Sequence, residues 1–205
     1  MIFKRIISKK KNSRSFFIKK NKKKVFYKYN VIINPGNPLF LKMKTLFKLL
    51  FLILLSSKIY AQHPAATIPD FSFYKLDKTV FTNKNIQPGK LSLIIFFDAS
   101  CDHCQHAMET YNQHYKELSK TAIYLVTVDN PASINYFMTK YANNLYGSKN
   151  VTILQDFKNE FITKFGPRKY PSMFLYSPQK KLLIYDDEPK NVGNFLQKIK
   201  ENTKK

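Results

Sequence analysis

A strongly apolar segment that runs directly into a pair of cysteines constrains the fold of this chain most. Residues 91–97 read LSLIIFF, a continuous β-rich run that predicts a strand buried on both faces. Cys101 and Cys104 follow after three further residues. Apolar residues then recur at helical spacing, so we expect a helix with one buried face and with Ser100 as its N-cap. The residues of that face are Cys104, Met108, Tyr111, Tyr115 and Leu118.

The rest of the chain alternates predicted strands with predicted helices. Alternation of this kind is typical of an α/β domain with a central mixed β-sheet flanked by helices, in which the strands are parallel where a helix connects them. The predicted elements are an N-terminal β-hairpin with strands at 71–74 and 79–82, strands at 122–128, 151–154, 172–176 and 182–185, and helices at 133–145, 157–165 and 192–199.

The spacing of the two cysteines suits reversible disulfide chemistry. Positions three apart on a helical turn bring two sulfurs within bonding reach, and the positive helix N-terminus favours a thiolate, the nucleophile of disulfide exchange. We expect Cys101 to be exposed and to attack, and Cys104 to be the more buried resolving thiol. An inert structural disulfide is the alternative, but it would close a loop of only two residues and stabilise little.

A proline far along the chain supports the redox interpretation. Pro171 stands at the first residue of the predicted strand 172–176, where it removes a backbone donor. A cis peptide before Pro171 would keep a backbone N–H away from the Cys101 sulfur and leave the Tyr170 backbone free to pair with a substrate strand. An ordinary trans proline that begins an edge strand is the alternative.

These features together resemble a known family. Pro69-Asp70-Phe71, the LSLIIFF strand, the CDHC motif, the strand and helix inserted before Gly166, and YPSMFLY occur in the order of the periplasmic thioredoxin-like reductases of the TlpA/ResA type. The resemblance covers about residues 66–203. It implies a thioredoxin-like fold with a strand-helix insertion, Cys101 as nucleophile, Cys104 as resolving cysteine and a cis Pro171.

The resemblance also implies substrates and partners. Proteins of this type reduce disulfides of exported proteins, including apocytochromes awaiting haem, and they receive electrons from a membrane or periplasmic thiol–disulfide donor. We therefore expect an enzyme, a thiol–disulfide oxidoreductase with a redox-active CxxC disulfide, and we expect neither a cofactor nor a bound metal.

The motif departs from the family pattern in ways that concern the direction of the reaction. Ser100 and Asp102 stand where the family usually has tryptophan and proline, and the strand 91–97 lacks a buried acid. Asp98 and Glu109 are the nearby acids that could replace it, although solvated or capping roles are the commoner use of such residues. His103 as an imidazolium would stabilise the Cys101 thiolate, whereas the Asp102 carboxylate would destabilise it.

The charge of the chain is concentrated at its beginning. The net charge is +22, yet 16 of the 35 Lys and Arg lie in residues 1–61, which contain no acid. Residues 62–205 keep 19 basic and 13 acidic residues, a net charge of +6. We therefore expect no nucleic-acid partner, because the basic residues of this larger part are scattered.

Residues 43–61 (MKTLFKLLFLILLSSKIYA) have the pattern of a signal peptide. The apolar run is shorter than the roughly 20 residues that a membrane span needs. We expect cleavage after about Ala61, a periplasmic mature domain of residues 62–205 and no stable membrane insertion of that domain. Residues 1–42 are then either a start-site misassignment, with Met43 as the true start, or a disordered basic extension.

Three other functions fit parts of the motif. A DsbA-like thiol oxidase shares a histidine directly before the second cysteine, but this chain lacks room for its large helical insertion. A peroxiredoxin needs a hydroxyl residue three positions before its reactive cysteine and an arginine beside that cysteine. At the first of these positions this chain has Asp98. A copper- or zinc-binding module has soft donors here but no second CxxC to complete the set. Those donors are Cys101, His103, Cys104, His106 and His114.

Overall fold

The structure, a computed structural model, describes residue 42, residues 46–49 and residues 63–203. The chain divides into two units, Met1–Lys58 and Ile59–Lys205. In the first unit, Lys42 and residues 46–49 are helical and exposed. The predicted signal peptide 43–61 and the extension 1–42 lie almost wholly outside the described residues, so both stay predictions. Within the described part, no helix combines the length and the apolar character that crossing a membrane requires.

The second unit contains seven strands and four α-helices among its described residues. Two 3-10 helices, Asn83–Asn85 and Pro189–Asn191, complete it. The elements are β1 (Ser72–Lys75), β2 (Val80–Thr82), β3 (Ser92–Phe96), α1 (Asp102–Gln113), β4 (Ala122–Thr127), α2 (Pro131–Tyr141), β5 (Val151–Gln155), α3 (Glu160–Phe165), β6 (Ser172–Tyr176), β7 (Leu182–Asp186) and α4 (Val192–Thr203).

The strands form one mixed sheet in the order β2-β1-β5-β4-β3-β6-β7. The three central strands β3, β4 and β5 are parallel, and their register pairs Ile94 with Tyr124 and Tyr124 with Thr152. An antiparallel hairpin extends each side, β1-β2 beside β5 and β6-β7 beside β3. The predicted α/β class, mixed sheet and N-terminal hairpin are confirmed.

Each face of the sheet packs against its own hydrophobic core. In β3, Leu93 and Ile95 face the core that α1, α2 and α4 cover, while Ile94 and Phe96 face the opposite core. The opposite core is rich in phenylalanine, and α3 contributes to it. Because every residue of β3 is buried on one face or the other, the strand reads as a continuous apolar run.

Several predicted boundaries differ from the structure. Helix α1 ends at Gln113, so Tyr115 and Leu118 lie in the turns that follow it, although Leu118 is still buried. Helix α2 begins at Pro131, because the Asn130 side chain accepts the Ser133 N–H and the proline occupies the first turn. The helix predicted at 157–165 begins only at Glu160, and Gly166 closes it in the left-handed conformation.

Candidate active site

The two cysteines lie where β3 leads into α1. Cys101 is the N-cap residue of the helix and is partly exposed, whereas Cys104 is buried at 1% exposure. The Cys101 carbonyl accepts the backbone N–H groups of Cys104 at 3.0 Å and Gln105 at 3.1 Å, which fixes the first turn. Both residues are free thiols in this structure. The predicted difference in exposure is confirmed; the roles of nucleophile and resolving thiol stay predictions.

The loop before Cys101 is held by Asp98 and not by Ser100. The Asp98 Oδ1 atom accepts both the backbone N–H of Ser100 at 2.7 Å and its hydroxyl at 2.6 Å. The Asp98 carbonyl accepts the Cys101 N–H at 3.2 Å. The prediction that Ser100 caps α1 is wrong, because Cys101 occupies the N-cap position and no side chain caps the helix. Of the two acids that we considered, Asp98 holds the loop before Cys101 and Glu109 is exposed on α1.

Asp129 is a supporting residue that the sequence analysis missed. Its Oδ2 atom accepts the Ala99 N–H at 2.8 Å and the Thr127 hydroxyl at 2.7 Å, so a residue beyond β4 holds the loop beyond β3. Its own carbonyl accepts the side-chain amide of buried Gln155 at 2.8 Å. An indication was available, since an aspartate follows each of the three predicted parallel strands, and the carboxyl ends of parallel strands share one edge.

Pro171 lies beside Cys101, as predicted. The Tyr170–Pro171 peptide bond is cis, so the trans alternative is wrong. The Tyr170 carbonyl oxygen lies 4.0 Å from the Cys101 Sγ atom, and the Tyr170 ring packs on Phe96 of β3 at 4.7 Å between centroids. Strand β6 lies between β3 and β7 and is not an edge strand.

Burial governs the ionisation of the inner thiol. Burial raises the pKa of Cys104 far above its ordinary value of 9.0, the backbone N–H of Asp98 lowers it less, and the charge of Cys101 raises it further. The pKa of Tyr170 is also raised, first by burial and then by the carboxylates of Asp98 and Asp129. Cys104 is thus a neutral thiol until its surroundings change.

Asp102 and His103 lie on the exposed side of the first turn of α1. Neither side chain hydrogen-bonds or ion-pairs with another residue that the structure describes. Asp102 is the acidic residue of that turn, so its carboxylate interacts with the same positive helix terminus as Cys101.

The histidines near the motif point to their own helix neighbours. His106 is 72% exposed and faces Glu109 at 3.6 Å, and His114 Nδ1 lies 2.6 Å from a Glu117 oxygen. Across residues 42, 46–49 and 63–203, no three His, Cys, Asp or Glu side chains come close enough to hold a metal ion. The donors that suggested a copper or zinc module are therefore not gathered into one set.

Two depressions flank the cysteine motif. The larger, about 530 Å³, lies between α1 and α2 and includes Ser100, Gln105, Asp129 and Tyr136. The smaller, about 200 Å³, lies on the other side and is lined by Phe96, Ile162, Pro167, Arg168, Lys169 and Tyr170. Arg168 is engaged there, because its Nε donates to Asp187 at 2.8 Å and its guanidinium lies over the Tyr185 ring.

The fold is similar to those of several solved structures. A Chlorobium tepidum protein thought to be the thiol:disulfide interchange protein DsbE is 17% identical with a TM-score of 0.56, over 68% of this chain and 97% of that one. A thioredoxin-like protein of Porphyromonas gingivalis is 17% identical with a TM-score of 0.55, over 69% and 95%. A peroxiredoxin-like protein of Aquifex aeolicus is 15% identical with a TM-score of 0.52, over 67% and 86%. The predicted thioredoxin-like fold is confirmed.

The sequence comparisons place the chain in a family. Residues 64–185, more than half of the chain, match the model of the AhpC/TSA family. The search of curated proteins finds no match. The chain belongs to the AhpC/TSA family.

Proposed function

We propose that this member of the AhpC/TSA family is an exported thiol–disulfide oxidoreductase of the TlpA/ResA type, which reduces disulfides of extracytoplasmic proteins through Cys101 and Cys104. One observation carries the proposal. A partly exposed thiol at a helix N-terminus is followed three residues later by a buried thiol, and its sulfur lies 4.0 Å from the Tyr170 carbonyl oxygen.

The reaction consists of two exchanges. The Cys101 thiolate attacks one sulfur of the substrate disulfide, forms a mixed disulfide and releases the other substrate sulfur as a thiolate. Cys104 then loses its proton and attacks the Cys101 sulfur, so the second substrate sulfur leaves and takes up a proton. Overall, two electrons pass to the substrate, and Cys101 and Cys104 become a disulfide; the proton of Cys104 goes to the second substrate sulfur, and the first substrate thiolate takes its proton from solvent. A membrane or periplasmic thiol donor returns the pair to the dithiol.

Charged groups of both signs lie around the segment that carries Cys101. Asp98 and Asp129 carboxylates hold the loop before it, and Asp102 shares its helix terminus. Negative charge disfavours a thiolate, whereas the positive helix terminus favours it and a His103 imidazolium would favour it too. The reducing direction of the proposal therefore rests on the resemblance to the TlpA/ResA reductases, and the reduction potential tests it.

The Tyr170 backbone is the proposed contact for a substrate strand. Its carbonyl lies 4.0 Å from the Cys101 sulfur, and the following residue, a proline, has no N–H to donate. The apolar depression formed by Phe96, Pro167 and Tyr170 adjoins this carbonyl and offers room for a side chain next to the substrate cysteine. Exported disulfide proteins, apocytochromes among them, are the proposed substrates.

Single-cysteine variants test the proposal. Cys101→Ser should abolish insulin reduction. Cys104→Ser should accumulate mixed disulfides, because the second exchange cannot follow. In the native reduced protein, iodoacetamide should modify Cys101 much faster than the buried Cys104. Full activity of Cys101→Ser would overturn the assignment.

The direction and the location need separate measurements. A reduction potential near the thioredoxin value of about −270 mV would support a reductase, and one near the DsbA value of about −120 mV would make the protein an oxidase. Peroxide consumption at a rate above that of disulfide reduction would favour a peroxidase instead. N-terminal sequencing of the protein from the periplasm should begin near Gln62; retention of residues 43–61 would contradict export with cleavage.

A further inference from the structure

The end of the sheet opposite the cysteines carries a basic depression. Strands β3, β4 and β5 begin there, and the segments that precede them surround a hollow of about 500 Å³. We call this hollow the basic depression. The residues that line it are Lys90, Tyr115, Lys116, Ser119, Ser148, Lys149 and Asn150.

The three lysines of the basic depression have no anionic partner. Lys90, Lys116 and Lys149 are exposed, no acid lines the hollow, and none of the three forms an ion pair with a carboxylate of the described residues. Some other cations of the domain are paired, such as Lys164 with Glu160 and Arg168 with Asp187. Further exposed lysines, Lys84, Lys158 and Lys190 among them, form no ion pair with the described residues either, but they do not share one hollow. The basic depression therefore holds three positive charges that the fold itself does not neutralise.

Hydrogen bonds fix the floor of the basic depression. The Asn150 side-chain amide donates to the carbonyls of Leu118 and Thr121, both at 2.9 Å, and the Asn150 carbonyl accepts the Ile123 N–H at 2.7 Å. The segment after α1 and the segment before β5 are thereby joined. The two segments that carry Lys116 and Lys149 are held together before any ligand arrives, which lowers the entropic cost of binding.

Compensation of helix dipoles does not account for this arrangement. Lys116 follows the end of α1 by three residues and is suited to that role. Lys90 precedes a strand, and Lys149 lies eight residues beyond the end of α2, so neither is at a helix terminus. Three cations from three chain segments therefore line one hollow, and only Lys116 is placed to compensate a helix dipole.

We propose that the basic depression binds a phosphate-bearing anion. The lysine ammoniums are the principal donors, and the Tyr115 hydroxyl, which has no hydrogen bond to another described residue, is a further one. The Ser119 and Ser148 hydroxyls already donate to the carbonyls of Lys116 and Asn144. Binding there leaves the cysteine motif at the other end of the sheet accessible.

Two probes distinguish the sources of phosphate. Pyrophosphate, titrated by calorimetry, represents a soluble ligand; co-sedimentation with phosphatidylglycerol vesicles, compared with pure phosphatidylcholine, represents a lipid headgroup. The full chain is compared with the variant K90Q/K116Q/K149Q. We expect the variant to lose about tenfold in pyrophosphate affinity if the ligand is soluble, or roughly 100-fold in vesicle partitioning if it is a lipid.

A second triple variant, K84Q/K158Q/K190Q, removes the same charge from exposed positions outside the basic depression. It should change either affinity less than twofold, and both variants should keep the disulfide-exchange activity of the parent. Loss of pyrophosphate binding assigns a soluble ligand, and loss of vesicle binding alone assigns a lipid. Equal losses in the two triple variants, or no binding to either probe, would overturn the proposal.

Discussion

The two ends of the sheet use charged side chains in opposite ways. At the cysteine end, the carboxylates of Asp98, Asp129 and Asp156 accept backbone N–H groups and so complete the fold. At the opposite end, Lys90 and Lys149 line a hollow and bond to no carboxylate of the described part. The carboxylates at the cysteine end therefore contribute to stability and to the geometry of the site, whereas the lysines at the opposite end are available to a ligand.

The largest effect on stability is expected at Asp156. This carboxylate is 1% exposed, and its two oxygens accept the N–H groups of Glu160 at 2.9 Å and Phe161 at 2.8 Å. Asp156→Ala removes both acceptors and leaves two helix donors unpaired, so the free energy of unfolding should fall by about 3 kcal/mol. Urea denaturation measures it. Asp156→Asn keeps one acceptor and should lose about half as much; a loss below about 0.5 kcal/mol in Asp156→Ala would break the comparison.

A smaller loss is expected at Asp129, where the carboxylate connects the ends of β3 and β4. Asp129→Ala removes the acceptor of the Ala99 N–H and should cost about 1–2 kcal/mol in urea denaturation. Asp129→Asn keeps an acceptor but removes a negative charge near the cysteines, so it should shift the glutathione equilibrium of the pair toward the reduced form. An unchanged equilibrium in Asp129→Asn would show that this acid has only a structural role.

The predictions from the sequence are correct where a local pattern of residues reflects which side chains are buried. The run 91–97 predicted a doubly buried strand because each face of β3 has its own core. The burial of Cys104 followed from the same kind of reasoning, because it depends on residues close in sequence. The cis Pro171 followed from the family resemblance, since the residues alone left a trans bond open.

The predictions are wrong or incomplete where a structural feature depends on contacts between residues that are distant in the sequence. Ser100 has the chemistry of an N-cap, yet Cys101 takes that position and the Ser100 hydroxyl donates to Asp98. Asp129 supports the loop before Cys101 only because the parallel register of β3 and β4 brings their ends together. The basic depression likewise joins three segments whose lysines look scattered in the sequence.

The buried thiol gives the cysteine end a pH dependence of stability. Burial raises the pKa of Cys104 in the folded protein above its value of 9.0 in the unfolded chain. The unfolded state therefore releases a proton above pH 9 that the folded state retains, and stability is full below pH 9 and falls as the pH rises. The slope should be about 1.4 kcal/mol per pH unit.

Urea denaturation of the reduced protein between pH 8 and pH 10 measures this slope. Cys104→Ala should largely abolish it, because no buried thiol remains to titrate. Burial also raises the pKa values of Tyr111 and Tyr176. These two tyrosines therefore also lower the stability of the protein as the pH rises, but only above pH 10. A reduced protein of constant stability over this range would mean that the pKa of Cys104 is not raised by folding, and a stability that rises with pH would mean that folding lowers it.

The smallest effect on stability is expected at the basic end. The variant K90Q/K116Q/K149Q breaks no ion pair with the described residues, and it lowers the repulsion among three neighbouring cations. Its free energy of unfolding should lie within about 0.5 kcal/mol of the parent in urea denaturation at low salt. Added pyrophosphate, if it binds, should stabilise the parent but not the variant. A loss of 2 kcal/mol or more without ligand, roughly the scale of a hydrogen-bonded charge, would show that these lysines also complete the fold, and the contrast between the two ends would then fail.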